Sequence, residues 1–199
     1  MFGNLLRDHL DRALLPLGRA VGKTRLSANA VTLLGTATVA LGAVLIVRGR
    51  LFAGGWMLAA GGLLDALDGS LARATAAESR LGAFLDSTTD RLSDGLVFSA
   101  IAWHLSAPPE ASGPGLALAL ACLVLSFLTS YLRARAEGLG FGCRVGVAER
   151  GERVFLISVG LILDVLVPAL ALLASLSLIT VVQRFAHVWR QAGGRCTKP

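Results

Sequence analysis

Six long apolar runs, at roughly 30–47, 51–64, 95–109, 114–132, 154–173 and 174–189, restrict this chain to a helical bundle built for a lipid bilayer. With their flanking turns each is long enough for a hydrocarbon core about 30 Å thick at about 1.5 Å per helical residue. The expected fold is therefore all-α, with six transmembrane helices near 30–48, 52–75, 82–106, 114–138, 151–167 and 170–190. Asp164 and Pro168 are the only punctuation between the last two. Charged residues make up 16% of the 199, against about 25% in soluble domains. No separate soluble domain fits, so residues 1–199 read as a single membrane domain. Within it, residues 1–28 form an interfacial segment and 191–199 a cytoplasmic tail. In the first of these, Leu5, Leu6, Leu10, Ala13, Leu14, Leu17 and Val21 recur at helical spacing opposite Arg7, Asp8, Asp11, Arg12 and Arg19. That pattern predicts an amphipathic helix over 4–22, lying on the membrane surface.

Basic residues set the orientation. Of the 19 Lys and Arg, all but Arg48 and Arg50 fall on one side of an even-helix topology. The positive-inside rule then makes both termini cytoplasmic. The net charge of +6 reads as topology and attraction to anionic headgroups, since no basic patch interleaved with aromatics suggests nucleic acid. Trp56, Trp103 and Trp189 lie near helix ends and fit an interfacial belt. Gly42, Gly54, Gly55, Gly61 and Gly62 suit close helix packing. Cys122, Cys143 and Cys196, like His9, His104 and His187, are dispersed and outline neither a zinc site nor a disulfide framework.

Four carboxylates interrupt the apolar pattern. Asp65 and Asp68 stand at i, i+3 and Asp86 and Asp90 at i, i+4, so each pair shares a helix face. Intramembrane carboxylates are costly and mark function by default. Four acceptor-only groups facing one another call for cations between them, and hard oxygen ligands suit Mg²⁺, Mn²⁺ or Ca²⁺ rather than zinc. The competing reading is an ion-paired network with Arg73, Arg80 and Arg91. The predicted topology sets both pairs at the cytoplasmic ends of their helices, at the depth reached by Arg133, Arg153 and Arg184.

The run from Asp65 to Asp90 resembles the signature of the CDP-alcohol phosphotransferases, D-x2-D-G-x2-A-R-x8-G-x3-D-x3-D, with every specified position present. These are integral membrane enzymes of phospholipid synthesis. The resemblance implies two divalent ions, Mg²⁺ with Mn²⁺ as an alternative, held by Asp65, Asp68 and Asp86 against the diphosphate of CDP-diacylglycerol. Asp90 completes the cluster and matches the proton acceptor. Gly69 and Arg73 match positions that meet the nucleotide, and Ser79 one that contacts the CDP-lipid. Asn29 and Thr32, in Asn29-Ala-Val-Thr32, resemble a nucleotide-contacting segment, although Asn29 reads equally as a helix N-cap.

On the acceptor side, Ser130-Tyr-Leu-Arg133, Glu149-Arg150-Gly-Glu152-Arg153 and Val182-Gln183-Arg184 look like an actinobacterial branch of the family that makes phosphatidylinositol phosphate. By that resemblance Arg133, Arg153 and Arg184 hold the phosphate of myo-inositol phosphate. The alternative is that they snorkel to headgroups. The implied reaction transfers the phosphatidyl group of CDP-diacylglycerol to inositol phosphate and releases CMP, in a plasma-membrane homodimer with a cytoplasmic active site. Glycerol 3-phosphate is the rival acceptor, as in phosphatidylglycerophosphate synthases. A divalent-cation or proton-coupled transporter is the rival class.

Overall fold

The computed structural model describes residues 28–74, 79–109, 111–143, 145–147 and 149–195, with the side chains of 28, 68–74, 194 and 195 outside the description. The interfacial helix expected over 4–22 lies outside the described residues. Among those described, all regular structure is helical. It comprises α1 (Ala28–Val47), α2 (Leu51–Ala74), α3 (Arg80–Ser106), α4 (Gly113–Gly138), α5 (Arg150–Ile162) and α6 (Leu166–Arg195). Three segments, Asn29–Val47, Gly113–Gly138 and Leu166–Gly193, are long and apolar enough to cross a membrane by themselves, and Leu51–Leu67 is a shorter apolar helix.

The chain turns between α5 and α6 earlier than the sequence suggests. Asp164 takes a left-handed conformation at φ 57°, which a short polar side chain tolerates. The Val165 N–H closes the joint on Gly160 O at 2.9 Å. Pro168 falls in the first turn of α6 instead of breaking the chain, where its missing N–H would have no intrahelical partner.

Helix α2 packs between α1 and α5, and it carries glycines on both of those faces. Toward α1, a Cβ on Gly54 would stand 3.2 Å from Gly42 O, and one on Gly61 would stand 3.1 Å from Gly35 O and 2.5 Å from Val39 Cγ2. The two antiparallel backbones are thus in near contact. Toward α5, a Cβ on Gly55 would meet Ser158 O at 3.0 Å, and one on Gly62 would meet Val154 Cγ1 at 2.7 Å. Where lipid replaces water, helices gain by such small-residue packing rather than by expelling solvent. The register has a consequence for the site. Asp65 follows Gly61 and Gly62 by one turn, and antiparallel pairing of α2 with α5 brings it to Arg150.

Helix α3 divides along its length. Its buried stripe is polar near the start, at Thr89, Asp90, Ser93 and Asp94, and apolar beyond, at Val97, Phe98, Ile101 and Leu105. The apolar part joins Ile46, Leu58, Ile157, Leu161, Leu170 and Leu173 in one core. Outward-facing Leu34, Leu41, Phe52, Trp56, Phe84, Trp103, Val124, Phe155 and Trp189 are all exposed, as expected of a surface solvated by lipid. Each helix therefore brings its polar end to the same pole of the bundle.

Replacing Gly61 by leucine is expected to cost about 1–3 kcal/mol through overpacking against Val39 and the Gly35 carbonyl. A fall of several degrees in the apparent melting temperature of the detergent-solubilised protein measures it. Gly113→Leu, where no atom lies within 4 Å of the added Cβ, serves as the neutral control.

Candidate metal and phosphate site

At the polar pole, Asp65 of α2 meets Asp86 and Asp90 of α3, with one carboxylate oxygen from each lying within 4.8 Å of the others. Asp90 is buried and the other two are half-buried. The aspartates on α3 arrive together because they are one helical turn apart. Asp65 arrives from α2, which packs on α1, the helix that α3 also packs against. Asp68, Gly69 and Arg73 are in α2, but their side chains lie outside the described residues.

An all-carboxylate donor set of this size fits a hard divalent cation. A second observation agrees: Asp90 Oδ1 is buried without a hydrogen-bond donor. The Arg150 Nη1 lies 2.5 Å from that oxygen, a charge contact whose direction does not make a hydrogen bond. The same Nη1 donates to Asp65 Oδ2. Arg91 stands farther off, 3.9 Å from Asp90 Oδ2, and donates instead to Ser130 Oγ at 2.7 Å. In the sequence Arg150 stands among the basic residues of the inner side and within the Glu149-Arg150-Gly-Glu152-Arg153 segment, with nothing to link it to Asp65, which is 85 positions away.

The motif's Gly82 has a steric reason. A Cβ there would lie 3.1 Å from Ser79 Oγ and 3.4 Å from Asn29 Oδ1, so the glycine lets the start of α1 close against the start of α3. Ser79 is the exposed N-cap of α3, accepting from Gly82 N–H at 2.9 Å. Asn29 and Ser79, both expected at the CDP-lipid, are thus neighbours. Thr32 is buried one turn further along α1.

A second polar layer adjoins the aspartates. Asp94, one turn beyond Asp90, pairs with Arg153 Nη2 at 3.1 Å. Arg153 Nη1 donates to Thr129 Oγ1 at 3.1 Å, while Arg184 Nη1 donates to the carbonyl of Thr129 at 2.5 Å and its Nε to Val145 O at 2.8 Å. Two of the three arginines expected at the acceptor phosphate therefore converge on one residue of α4. Arg133 does not join them: it is exposed and pairs with Glu137 at 3.0 Å, four residues along α4. Asp94 and Thr129 carried no expectation, although the spacing 86, 90, 94 continues the carboxylate face of α3 by another turn and was available to a reader.

Gly142, Val145 and Val147 of the segment before α5 are fastened to α6 beside this layer. Gly142 exchanges two hydrogen bonds with the Gln191 amide, at 3.2 and 2.7 Å, and Val147 N–H donates to Thr180 Oγ1 at 3.2 Å. Gly146, at φ 145°, passes so close to Thr180 that a Cβ would lie 2.6 Å from its methyl. Between segment and helix lies a cavity of about 540 Å³ lined by Glu137, Gly142, Cys143, Val145 and His187, a size typical of small-molecule sites. Cys122 takes no part, being buried in the core with its thiol toward Leu170 O.

Known proteins share this chain's sequence pattern and fold. The sequence model of the CDP-alcohol phosphatidyltransferase family matches residues 25–189. The phosphatidylinositol phosphate synthase of Mycobacterium tuberculosis is 37% identical over 199 residues, covering 95% of this chain and 91% of that one. The archaetidylinositol phosphate synthase of Methanothermobacter thermautotrophicus is 40% identical over 135 residues, covering 64% and 65%. The crystal structure of the M. tuberculosis enzyme with CDP-DAG bound superposes with a TM-score of 0.80 at 36% identity, over 89% of this chain and 94% of that one. Its complex with manganese and citrate gives 0.80 at 37% identity, over 88% of each.

Asp94→Ala would leave Arg153 as a buried charge without its counter-ion, which typically costs about 3–5 kcal/mol. The variant is expected to lose thermal stability in detergent, and Asp94→Ala/Arg153→Met is expected to recover a large part of it.

Proposed function

The chain belongs to the CDP-alcohol phosphatidyltransferase family, and on that premise we propose that it transfers the phosphatidyl group of CDP-diacylglycerol to myo-inositol phosphate, giving phosphatidylinositol phosphate and CMP. The observation that carries the reading is the adjacency of two sites of opposite charge. The aspartate triad lies within 4.8 Å, and the buried Arg153 and Arg184 meet at Thr129 directly behind it. The first suits cations on a diphosphate, and the second suits an acceptor that itself carries a phosphate. The names of the M. tuberculosis and M. thermautotrophicus relatives support inositol phosphate as that acceptor.

In this mechanism Asp65, Asp68, Asp86 and Asp90 hold the metal, and divalent ions bound there would neutralise the diphosphate of the donor. Asn29, Thr32, Gly69, Arg73 and Ser79 line the path of the CDP moiety. Asp90 takes the proton of the acceptor hydroxyl. The hydroxyl oxygen forms a bond to the β-phosphorus, and the bond from that phosphorus to the bridging oxygen breaks. CMP leaves with the electron pair. Arg153 and Arg184 hold the acceptor phosphate so that its hydroxyl faces the cluster, with Arg133 at the outer rim of the same end of α4. Fixing two reactants in one geometry removes much of the entropic part of the barrier.

The topology belongs to the same proposal. Six helices cross the membrane with both termini and the site on the cytoplasmic side, in a plasma-membrane homodimer that uses two Mg²⁺ or Mn²⁺ ions. The convergence of the polar ends at one pole supports the even number of crossings, and their basic residues support the orientation.

CMP release by the purified protein with Mg²⁺ or Mn²⁺, compared across inositol phosphate, glycerol 3-phosphate and free inositol, tests the reading. Turnover is expected with inositol phosphate alone. Turnover with glycerol 3-phosphate instead would keep the aspartate chemistry and overturn the acceptor, and transport without CMP release would overturn both. Asp90→Asn is expected to lower kcat by on the order of 10²–10⁴-fold, the usual worth of a general base. It should leave binding of CDP-diacylglycerol largely intact, as equilibrium binding would show.

A further inference from the structure

Arg150 touches more of the aspartate cluster than any other described cation. Its Nη1 donates to Asp65 Oδ2 and lies 2.5 Å from Asp90 Oδ1, so one nitrogen sits between oxygens of two different carboxylates. Arginine binds a single carboxylate best through two parallel bonds, and that arrangement is missing here. What the geometry resembles is a point cation bridging two ligands. It is also incompletely satisfied: Arg150 Nε and Asp90 Oδ1 are both buried without hydrogen-bond partners. The contact is nonetheless firmly aimed. Arg150 opens α5, where Glu149 N–H donates to Glu152 Oε2 at 2.9 Å and fixes the first turn. Beyond that turn, Gly62 seats α5 on α2 through Val154.

The carboxylates that Arg150 engages are two of the three whose oxygens lie close enough together to hold a divalent ion. A guanidinium and a dication cannot share them, since like charges at that separation repel strongly where solvent is scarce. We propose that Arg150 is a built-in counter-ion of the aspartate cluster, which holds Asp65 and Asp90 together in the metal-free protein and which a divalent cation displaces in order to bind. The inference rests on the metal reading of the cluster and adds a competitor to it. Affinity for the ion is lowered by the strength of the arginine pair, as for any ligand whose competent state is one of two populated states. The orientation of the first turn of α5, which also carries Arg153, is thereby coupled to metal loading.

The test is Mn²⁺ binding by the purified protein in detergent, without lipid donor or acceptor, read from the electron paramagnetic resonance of free Mn²⁺. Arg150→Met is expected to bind Mn²⁺ on the order of tenfold more tightly than the wild type, because nothing competes for the two oxygens. Arg150→Lys keeps the charge but has one compact ammonium on a flexible stem. It is expected to bind about threefold more tightly than the wild type, and it decides the matter where the methionine variant does not fold. Equal or weaker Mn²⁺ binding by the variants would overturn the proposal, showing that Arg150 arranges the carboxylates for the ion instead of opposing it. Asp86→Asn should weaken Mn²⁺ binding in every background, tying the signal to the cluster. Absence of Mn²⁺ binding in all variants would remove the metal reading together with this one, whereas binding indifferent to Arg150 removes this one alone.

Discussion

Three carboxylates with oxygens within 4.8 Å of one another, set into a bundle whose outer surface is apolar, are the constraint around which the rest is arranged. Like charges so close and poorly solvated repel by several kcal/mol unless cations are supplied. The fold supplies most of them from a different helix, α5: Arg150 lies on the triad and Arg153 closes on the next carboxylate along α3, Asp94, while Arg91 of α3 itself stands beside the triad. A signature that looks like an isolated acidic patch is thus one half of an alternating array of carboxylates and guanidinium groups. Divalent ions would enter an array already close to electrical balance.

Keeping such an array at one pole requires helices that approach closely, and that is the work of α2. Its two glycine faces admit α1 on one side and α5 on the other, and the antiparallel register with α5 sets Asp65 against Arg150. The same economy recurs at Gly82, where the missing side chain lets Asn29 and Ser79 share a corner. Small residues here position chemistry by allowing approach. The apolar half of α3 and its neighbours form a conventional core at the opposite end, so stability and function occupy different depths of the bundle.

The layer around Thr129, proposed to take the acceptor phosphate, is built differently. Arg153 and Arg184 reach Thr129 from separate helices, and the segment before α5 is tied down at Gly142, Val145 and Val147. An open pocket lined by Glu137, Gly142, Cys143, Val145 and His187 lies beside these contacts. Buried guanidinium groups with fixed partners are pre-organised, so less entropy is lost when an anion docks than with free surface side chains. Arg133, exposed and paired with Glu137, lacks that pre-organisation.

The helices could be read from the sequence because an apolar run of bilayer length has no other stable form, and the observed boundaries fall within a few residues of those expected. The exception is the α5–α6 joint. Asp164 and Pro168 were both possible break points there; the chain bends at Asp164, and Pro168 fits the first turn of α6. The aspartates were readable because i, i+3 and i, i+4 spacing is a local property of a helix. A resemblance residing in the same short stretch made their chemistry readable too. What the tertiary structure alone decided is which charges meet. Arg150 and Asp65 are far apart in sequence, as are Arg153 and Asp94 or Arg184 and Thr129, and each meeting depends on glycine-set helix registers that no residue spacing along one strand of chain can express. The sequence by itself determined an all-helical bundle with an acidic site at one end. Only the packing of α2 against α1 and α5 decided that the cluster would carry its own cation.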